Sequence, residues 1–309
     1  GGAIYPNDGE DAQTLIKNAD SAMYAAKGFG RSNAQWFSKE MLRQNQRKLL
    51  LTAALKPALE SNQFHLVYQP EISLQTGATV GVEALIRWQH PERGLVPPDE
   101  FIPIAESSRF ILPLGEWVLE TACKTIQLWN RMGFRNITVA VNISGYQFNH
   151  GNITQTISNL LDKTGIPPNL LELELTETIL LNDAQRSMDR VNQLKRLGVQ
   201  LALDDFGTGY SSLTYLKNLP VNNLKIDRSF VHNIHQERNH AIIKAIITLA
   251  KTLNLKTIAE GVEEEGERQL LAQLNCDQIQ GFLFSRPIPL QDMTLLLQNS
   301  AVAESSRTQ

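Results

Sequence analysis

Cysteine, basic clusters and long apolar runs are all scarce in this chain, and each scarcity closes off a class of protein. Only Cys123 and Cys276 occur among 309 residues, too few for a disulfide framework, so small buried thiols in a reducing compartment are expected. The net charge is −3 and no run of lysine or arginine offsets it, which argues against a nucleic-acid polymer as partner. No apolar stretch approaches the roughly 20 residues that cross a bilayer. The run AIIKAIITLA is broken by Lys244 and reads as an amphipathic helix, so this fragment is expected to make no membrane contact. The tightest histidine group, His232, His235 and His240, lies in the polar stretch HNIHQERNH without cysteine nearby, which favours a solvated helix start over a zinc centre. Neither an initiator Met nor a signal peptide is visible, and the chain opens on Gly-Gly-Ala-Ile as though inside a strand. The expectation is a piece of a larger cytoplasmic protein, with any membrane tether held elsewhere.

What is present begins with a small segment of its own character. Residues 1–37 read as a short strand (GGAIYP), an acidic turn (NDGED), a helix (AQTLIKNADSAMYAAKGFG) and a final strand (AQWF), too little for an independent core. Residues 38–60 read as a helical connector, with Pro57 marking a kink or a new start. Strand and helix patterns then alternate from residue 48 to about residue 300, ahead of a flexible tail at 301–309. The strand candidates are FHLVYQPEI, TVGVEALIRW, ITVAVNIS, LLELELTE, VQLALDD, NLKIDRSF, KTIAEGV and DQIQGF. Several intervening helices end in Gly or Asn, as helix C-caps do. Eight strands with interleaved helices over about 250 residues indicate an α/β fold, a (β/α)8 TIM-like barrel. A doubly wound sheet would carry a Gly-rich loop after its first strand, where this chain has SLQTG. The short turn SLQTGAT leaves no room for a helix, so the first strand is expected to be antiparallel to the second.

Strand alternation sorts the side chains into two faces. Leu171, Leu173 and Leu175 oppose Glu172, Glu174 and Thr176; Leu201 and Leu203 oppose Ala202 and Asp204; Leu224 and Ile226 oppose Lys225 and Asp227. Large apolar faces should turn outward onto helices, leaving small and polar side chains inside. Glu83 and Arg87 share a face, Asn142 lies late in its strand, and Glu260 and Gln280 fall near the ends of theirs. In a (β/α)8 barrel that end is the catalytic rim.

Taken singly, each buried acid is explained equally well by a structural ion pair. Together, Glu83, Glu174, Asp204, Asp205 and Glu260 outnumber Lys225 and Arg87 five to two. Desolvated carboxylates in such excess must protonate or bind cations. Oxygen ligands with an Asn carbonyl, and neither Cys nor His, suit Mg²⁺, Mn²⁺ or Ca²⁺. Adjacent strand residues cannot aim at one point, so the strand is expected to end at Asp204, with Asp205 swung round as the chain enters Phe206-Gly207-Thr208-Gly209. An aspartate there could bridge two metals about 3.5–4 Å apart, an arrangement used for phosphoester cleavage.

These residues closely resemble the EAL-domain family. The match lies in Glu83-Ala84-Leu85 with Arg87, Asn142 in VNIS, Glu174 and Glu177 in ELTE, Asp204-Asp205-Phe206-Gly207-Thr208-Gly209, Lys225 in LKID, Glu260 with Glu263 in EGVE, and Gln280 in QGF. The resemblance runs from about residue 48 to 291 and departs at no metal or catalytic position. It implies a bacterial cyclic di-GMP phosphodiesterase that opens the ring to linear pGpG with Mg²⁺ or Mn²⁺, two ions per site, with Ca²⁺ inhibitory. Glu83, Asn142, Glu174 and Asp204 would then hold one metal, and Asp204 with Asp205 the other. Lys225 would orient the attacking water or stabilise charge, with Glu260 as proton acceptor. Gln69, Leu85, Arg87, Asp205 and Gln280 would contact the substrate. Glu177, Phe206 and Gly207 would brace the loop carrying Asp205, which borders the surface through which family members form homodimers.

Residues 1–37 resemble the tail of a GGDEF diguanylate cyclase domain without its signature loop, so this chain should make no cyclic di-GMP. Two rivals remain at this stage. One is a silent cyclic di-GMP receptor, which loss of Glu83, Asn142 or Lys225 would mark, and all three are present. The other is a metal-dependent barrel acting on a carboxylate by enolisation, which DDFGTGYSS and EALIR do not fit.

Overall fold

The structure, a computed structural model, describes every residue except 29–32, 182, 208–215 and 308–309, and omits the side chains of 25, 28, 181, 184 and 301–307. Two compact units are present. The first comprises Gly1–Gln63 with Asp99–Phe110, and the second comprises Phe64–Pro98 with Ile111–Gln309.

In the first unit the two strands expected around the helix Ala12–Gly28 reduce to one bridge. Gly2 donates its N–H to Gln35 and accepts from Phe37. A second helix, Lys39–Glu60, is capped by the Ser38 hydroxyl, which accepts from Met41 N–H. Pro57 starts no new helix, because it sits in the last turn of one continuous helix. Across this unit Arg47 forks onto the Glu100 carboxylate.

The second unit is a closed barrel. Its strands are β1 (Phe64–Ser73), β2 (Thr79–His90), β3 (Gly94–Val96), β4 (Thr138–Asn142), β5 (Leu171–Thr176), β6 (Gln200–Phe206), β7 (Asn223–Ile226), β8 (Lys256–Ala259), β9 (Gln278–Ile279) and β10 (Ile288–Pro289). The ladder runs β1-β2-β4-β5-β6-β7-β8-β9 and returns to β1, while β3 and β10 add short outer pairings. Around the eight closing strands pairing is parallel except at β1, which is antiparallel to both β2 and β9, and the outer strands β3 and β10 are antiparallel to β2 and β1. One reversed strand therefore makes two antiparallel seams, not the single pair that the short first turn implies.

Helices Ile111–Arg131, Ile153–Thr164, Ala184–Arg196, Glu237–Thr252 and Glu265–Gln273 pack outside. The outward leucines of β5 and β6 join their core together with Val139, Val141, Leu224 and Ile226. Burying each such side chain contributes about 1.5–3 kcal/mol. Ala140, Ala202 and Ile258 lie outside that cluster although buried, consistent with the strand register that turns them to the barrel interior. Helix ends follow the expected chemistry: Gly165, Asn254 and Asn275 take the left-handed conformation with φ of 63°, 57° and 59°. Two expectations are corrected. NLKIDRSF is not one strand, since β7 stops at Ile226 and Asp227 caps the short helix Arg228–Val231 by accepting from Ser229 N–H. Residues 301–307 of the expected tail belong to the helix Leu290–Arg307. Among the described residues no helix is long and apolar enough to cross a membrane.

Candidate active site at the C-terminal rim

The C-terminal ends of the barrel strands gather the acids. Asn142 is the last residue of β4, Glu174 lies in β5, Asp204 in β6 and Lys225 in β7, and Glu260 and Gln280 follow directly after β8 and β9. Because β1 runs the other way, Gln69 falls opposite Glu83 in the register. Gln280 exploits this by donating from Nε2 to Glu83 Oε2 at 2.7 Å and to Gln69 Oε1 at 3.1 Å. Asn142 Nδ2 donates to the other Glu83 oxygen at 2.6 Å. Glu83 is thus clamped by two amides from two strands, and Gln69 in turn donates to the Ser285 carbonyl.

Lys225 stands at the centre with no exposed surface. Its Nζ lies 2.6 Å from Glu174, 2.7 Å from Glu260, 3.6 Å from Glu83 and 3.8 Å from Asp204. One cation therefore faces four carboxylates. Neither Glu174 oxygen nor Lys225 Nζ makes a well-angled hydrogen bond among the described residues, so the 2.6 Å approach is an electrostatic contact.

The titration behaviour follows from this crowding. Burial opposes the Lys225 charge, yet Asp204, Glu174, Glu260 and Glu83 hold it protonated, well above the ordinary lysine range. Burial pushes Glu83 up, but Lys225 and the two amides outweigh it and leave the carboxyl below its usual value. Glu174 goes far the other way, raised by burial and by Glu83 against the pull of Lys225. Burial lifts Glu260 to about 7 despite Lys225. Burial and the neighbouring Asp204 raise Asp205.

The paired aspartates come together by a route the sequence pattern does not give. β6 does not end at Asp204. It continues to Phe206 across a bulge, with Leu203 opposite Leu224 and Phe206 opposite Ile226. One extra residue on β6 breaks the alternation, and Asp205 takes a left-handed φ of 54°, which aspartate tolerates better than most residues. Its N–H donates to Asp204 Oδ1 at 2.9 Å, fixing the turn. Carboxylate oxygens of Asp204, Asp205 and Glu260 consequently lie within 4.8 Å of one another. An all-oxygen set of that spacing fits a hard divalent cation. Glu260, expected as a proton acceptor, thus also enters the ligand geometry.

Phe206 is buried in the outer core. Gly207 has φ 99°, and a Cβ there would meet the Phe230 ring at 2.9 Å, so both backbone and space demand glycine. Thr208 and Gly209 lie outside the described residues. Glu177 is buried, and neither of its oxygens has a hydrogen-bond partner among the described residues; the part of the Asp205 loop beyond Gly207 lies outside those residues. Arg87 and Leu85 share the Glu83 face of β2 and are half-buried. Arg87 Nη1 donates to the Ile86 carbonyl at 2.9 Å, and burial lowers its pKa against Glu83. Glu71, not among the expected site residues, and Glu172, expected only on the inward strand face, are each 2% exposed inside the barrel with one oxygen unpartnered among the described residues. Alternation with Glu174 was the available signal for Glu172.

The EAL domain family profile matches residues 52–287. The chain is 44% identical over 292 residues to the bifunctional diguanylate cyclase/cyclic di-GMP phosphodiesterase MucR of Pseudomonas aeruginosa, covering 94% of this chain and 43% of MucR. It is 40% identical over 288 residues to the cyclic di-GMP phosphodiesterase PdeR of Escherichia coli, covering 93% and 43%. The chain therefore spans less than half the length of these relatives. A solved structure of the MucR phosphodiesterase in complex with c-di-GMP superposes with a TM-score of 0.77 at 44% identity, covering 79% of this chain and 99% of that one.

Proposed function

This chain belongs to the EAL-domain family, and from that membership we propose that it hydrolyses cyclic di-GMP to linear pGpG at the C-terminal rim, using Mg²⁺ or Mn²⁺. The observation that carries the reading is the meeting of Asp204, Asp205 and Glu260 oxygens within 4.8 Å, beside Glu83, Glu174 and Asn142. Asp204 and Asp205 would hold one cation and Glu83, Asn142, Glu174 and Asp204 a second, with Glu260 close enough to serve the first. When bound, such ions neutralise the phosphodiester and acidify water.

The remaining steps belong to the chain itself. Lys225 presents a fixed positive charge to the charge that builds on the phosphoryl oxygens, and burial prevents that charge from being screened. Glu260, with a pKa of about 7, accepts a proton near neutral pH and releases it readily. Arg87 can fork onto a phosphate, a geometry lysine does not provide. Leu85 supplies an apolar wall on the same strand face, while Gln280, which holds Glu83 and donates to Gln69, borders the substrate together with Gln69. A homodimer formed near the loop after Asp205, with Glu177, Phe206 and Gly207 bracing it, would tie this site to a partner copy. Residues 1–37 are proposed as the end of a cyclase-like domain.

Incubation with cyclic di-GMP and Mg²⁺, Mn²⁺ or Ca²⁺, followed by separation of the nucleotides, tests the proposal. Linear pGpG is expected with Mg²⁺ and Mn²⁺ and not with Ca²⁺. Uptake of the cyclic form without linear product in any metal would replace the enzyme reading by a receptor.

A further inference from the structure

Only the residues Gly81–Ala84 of β2 pair with β4 in the barrel wall. β2 nevertheless runs on to His90, and β1 keeps pace with it, with Phe64 opposite Trp88. β3 joins the far end of β2 at Trp88–His90. These lengths form an antiparallel sheet that stands past the acidic rim. The register from Phe64 opposite Trp88 to Glu71 opposite Gly81 is unbroken, so alternation assigns each residue to a face. Leu66, Tyr68 and Ala84 belong to the outer core, Ile86 packs against it, and the Phe64 and Trp88 rings lie 5.2 Å apart. The opposite face carries Gln69 across from Glu83, then Val67 across from Leu85, then His65 across from Arg87.

That face changes character as it leaves the rim. Its first pair belongs with the candidate metal ligands, its second is apolar, and its third carries hydrogen-bond donors. At about 3.4 Å per residue, the His65–Arg87 pair stands about 14 Å beyond Glu83 along the strands. The charge of Glu83 is felt at Arg87, which places the guanidinium within electrostatic range of the rim. Arg87 donates to the Ile86 carbonyl, and His65 is exposed. Among the described residues neither side chain enters an ion pair, and the imidazole makes no hydrogen bond. Guanidinium nitrogens all donate, and an imidazole donates from at least one nitrogen in either protonation state. Two strands thus present donors at one level, with no acidic partner described for either.

We propose that His65 is a substrate-binding residue which, together with Arg87, holds the phosphate of cyclic di-GMP that does not react. This rests on the phosphodiesterase reading above and deepens it. The ligand carries a phosphodiester on each side of one ring. With the scissile group at the cations beside Glu83, the sugar body crosses the apolar pair Val67 and Leu85, and the second phosphate lies toward His65 and Arg87. Arg87 supplies a fork, and His65 adds a donor from the neighbouring strand. A phosphate that takes no part in the bond change is gripped equally before and during the reaction, so the contact sets affinity and not the chemical step.

Steady-state hydrolysis and calorimetric titration of the whole chain test the assignment. With Mg²⁺, His65→Ala should raise KM for cyclic di-GMP about tenfold and leave kcat within about threefold, the signature of uniform binding. Binding is compared in Ca²⁺, where turnover is not expected. There His65→Ala should weaken linear pGpG about tenfold, but weaken 5′-GMP, which keeps the metal-side phosphate and lacks the second, by less than about twofold. His65→Lys keeps a donor and should restore most of the affinity for pGpG. His65→Phe keeps a ring without donors and should behave as His65→Ala. Equal weakening of pGpG and 5′-GMP would mean a general disturbance of the site and overturns the assignment. Full affinity in His65→Phe would mean stacking on a base and overturns it too, as does an unchanged KM in His65→Ala. A wild-type chain that neither hydrolyses nor binds cyclic di-GMP with any of the metals overturns instead the reading on which the assignment rests.

Discussion

Replacing Lys225 by methionine isolates the electrostatic problem on which the rim is built. Methionine keeps most of the side-chain volume, so the change removes a charge with little loss of packing. Lys225 Nζ lies within 3.8 Å of Glu83, Glu174, Asp204 and Glu260. Removing one partner of a buried ion pair costs about 3–5 kcal/mol because it leaves uncompensated charge behind. At about 2–4 °C per kcal/mol for a chain of this class, the metal-free variant should melt about 6–20 °C below wild type. The deficit has two signatures that a packing defect lacks. It should shrink as pH falls to about 5.5, because orphaned carboxylates then take up protons. It should also shrink on adding Mg²⁺, which supplies the missing positive charge and binds only the folded state. Differential scanning calorimetry at two pH values, with chelator and with Mg²⁺, reads all of this. A loss below about 2 °C in chelator at pH 8, or a larger loss unchanged by proton and metal, would refute the electrostatic account.

Glu83→Ala removes the carboxylate that Asn142 and Gln280 clamp, and cyclic di-GMP hydrolysis should fall by about 10²-fold or more even at saturating Mg²⁺. Near wild-type turnover would remove Glu83 from the site. Asp205→Gly suits the left-handed φ of 54°, so the variant should melt within about 1 kcal/mol of wild type or higher, while losing at least tenfold in Mg²⁺ affinity by calorimetric titration. Without metal, stability should decline as pH rises from about 4.5 to about 8. Glu260 and Glu172 at about 7 and Glu71 at about 8 keep protons in the fold that the same carboxylates have released in the unfolded chain. Their contribution is thus present below the unfolded pKa and lost through the folded one; a flat or rising melting profile in chelator would contradict it.

Alternation made the barrel legible. Leu171, Leu173 and Leu175 against Glu172 and Glu174 specify which face meets helices and which lies inside, and Ala202, Asp204 and Lys225 follow from that period of two, whereas Asp227 does not because β7 has ended. Gly165, Asn254 and Asn275 mark helix ends because their backbone geometry is local. The bulge at Asp205 was not legible, since pairing register is a property of two strands and β7 sets where β6 resumes. The clamp on Glu83 was hidden for a similar reason. It requires β1 and β9 to be neighbours, and no local pattern states which strands close a barrel. Glu172 was legible only as an inward-facing residue and Glu71 not at all, because both lie in a layer deeper than the strand ends that form the rim. The strand assigned through Arg228, Ser229 and Phe230 failed because Asp227 accepts from Ser229 N–H, a local capping bond that competes with extension.

The surplus residue in β6 has a further implication for how this sequence can change. Deleting one position between Leu203 and Phe206 would give a tidier ladder and relieve the left-handed turn at Asp205, so any search for thermal robustness alone is drawn toward the shorter chain. That shorter chain would possess a single aspartate on the inward face and could no longer present two carboxylates from neighbouring positions to one point. The irregularity persists against its own local preference, and a redesign that scores only folding would erase the reactive end of the molecule while appearing to improve it.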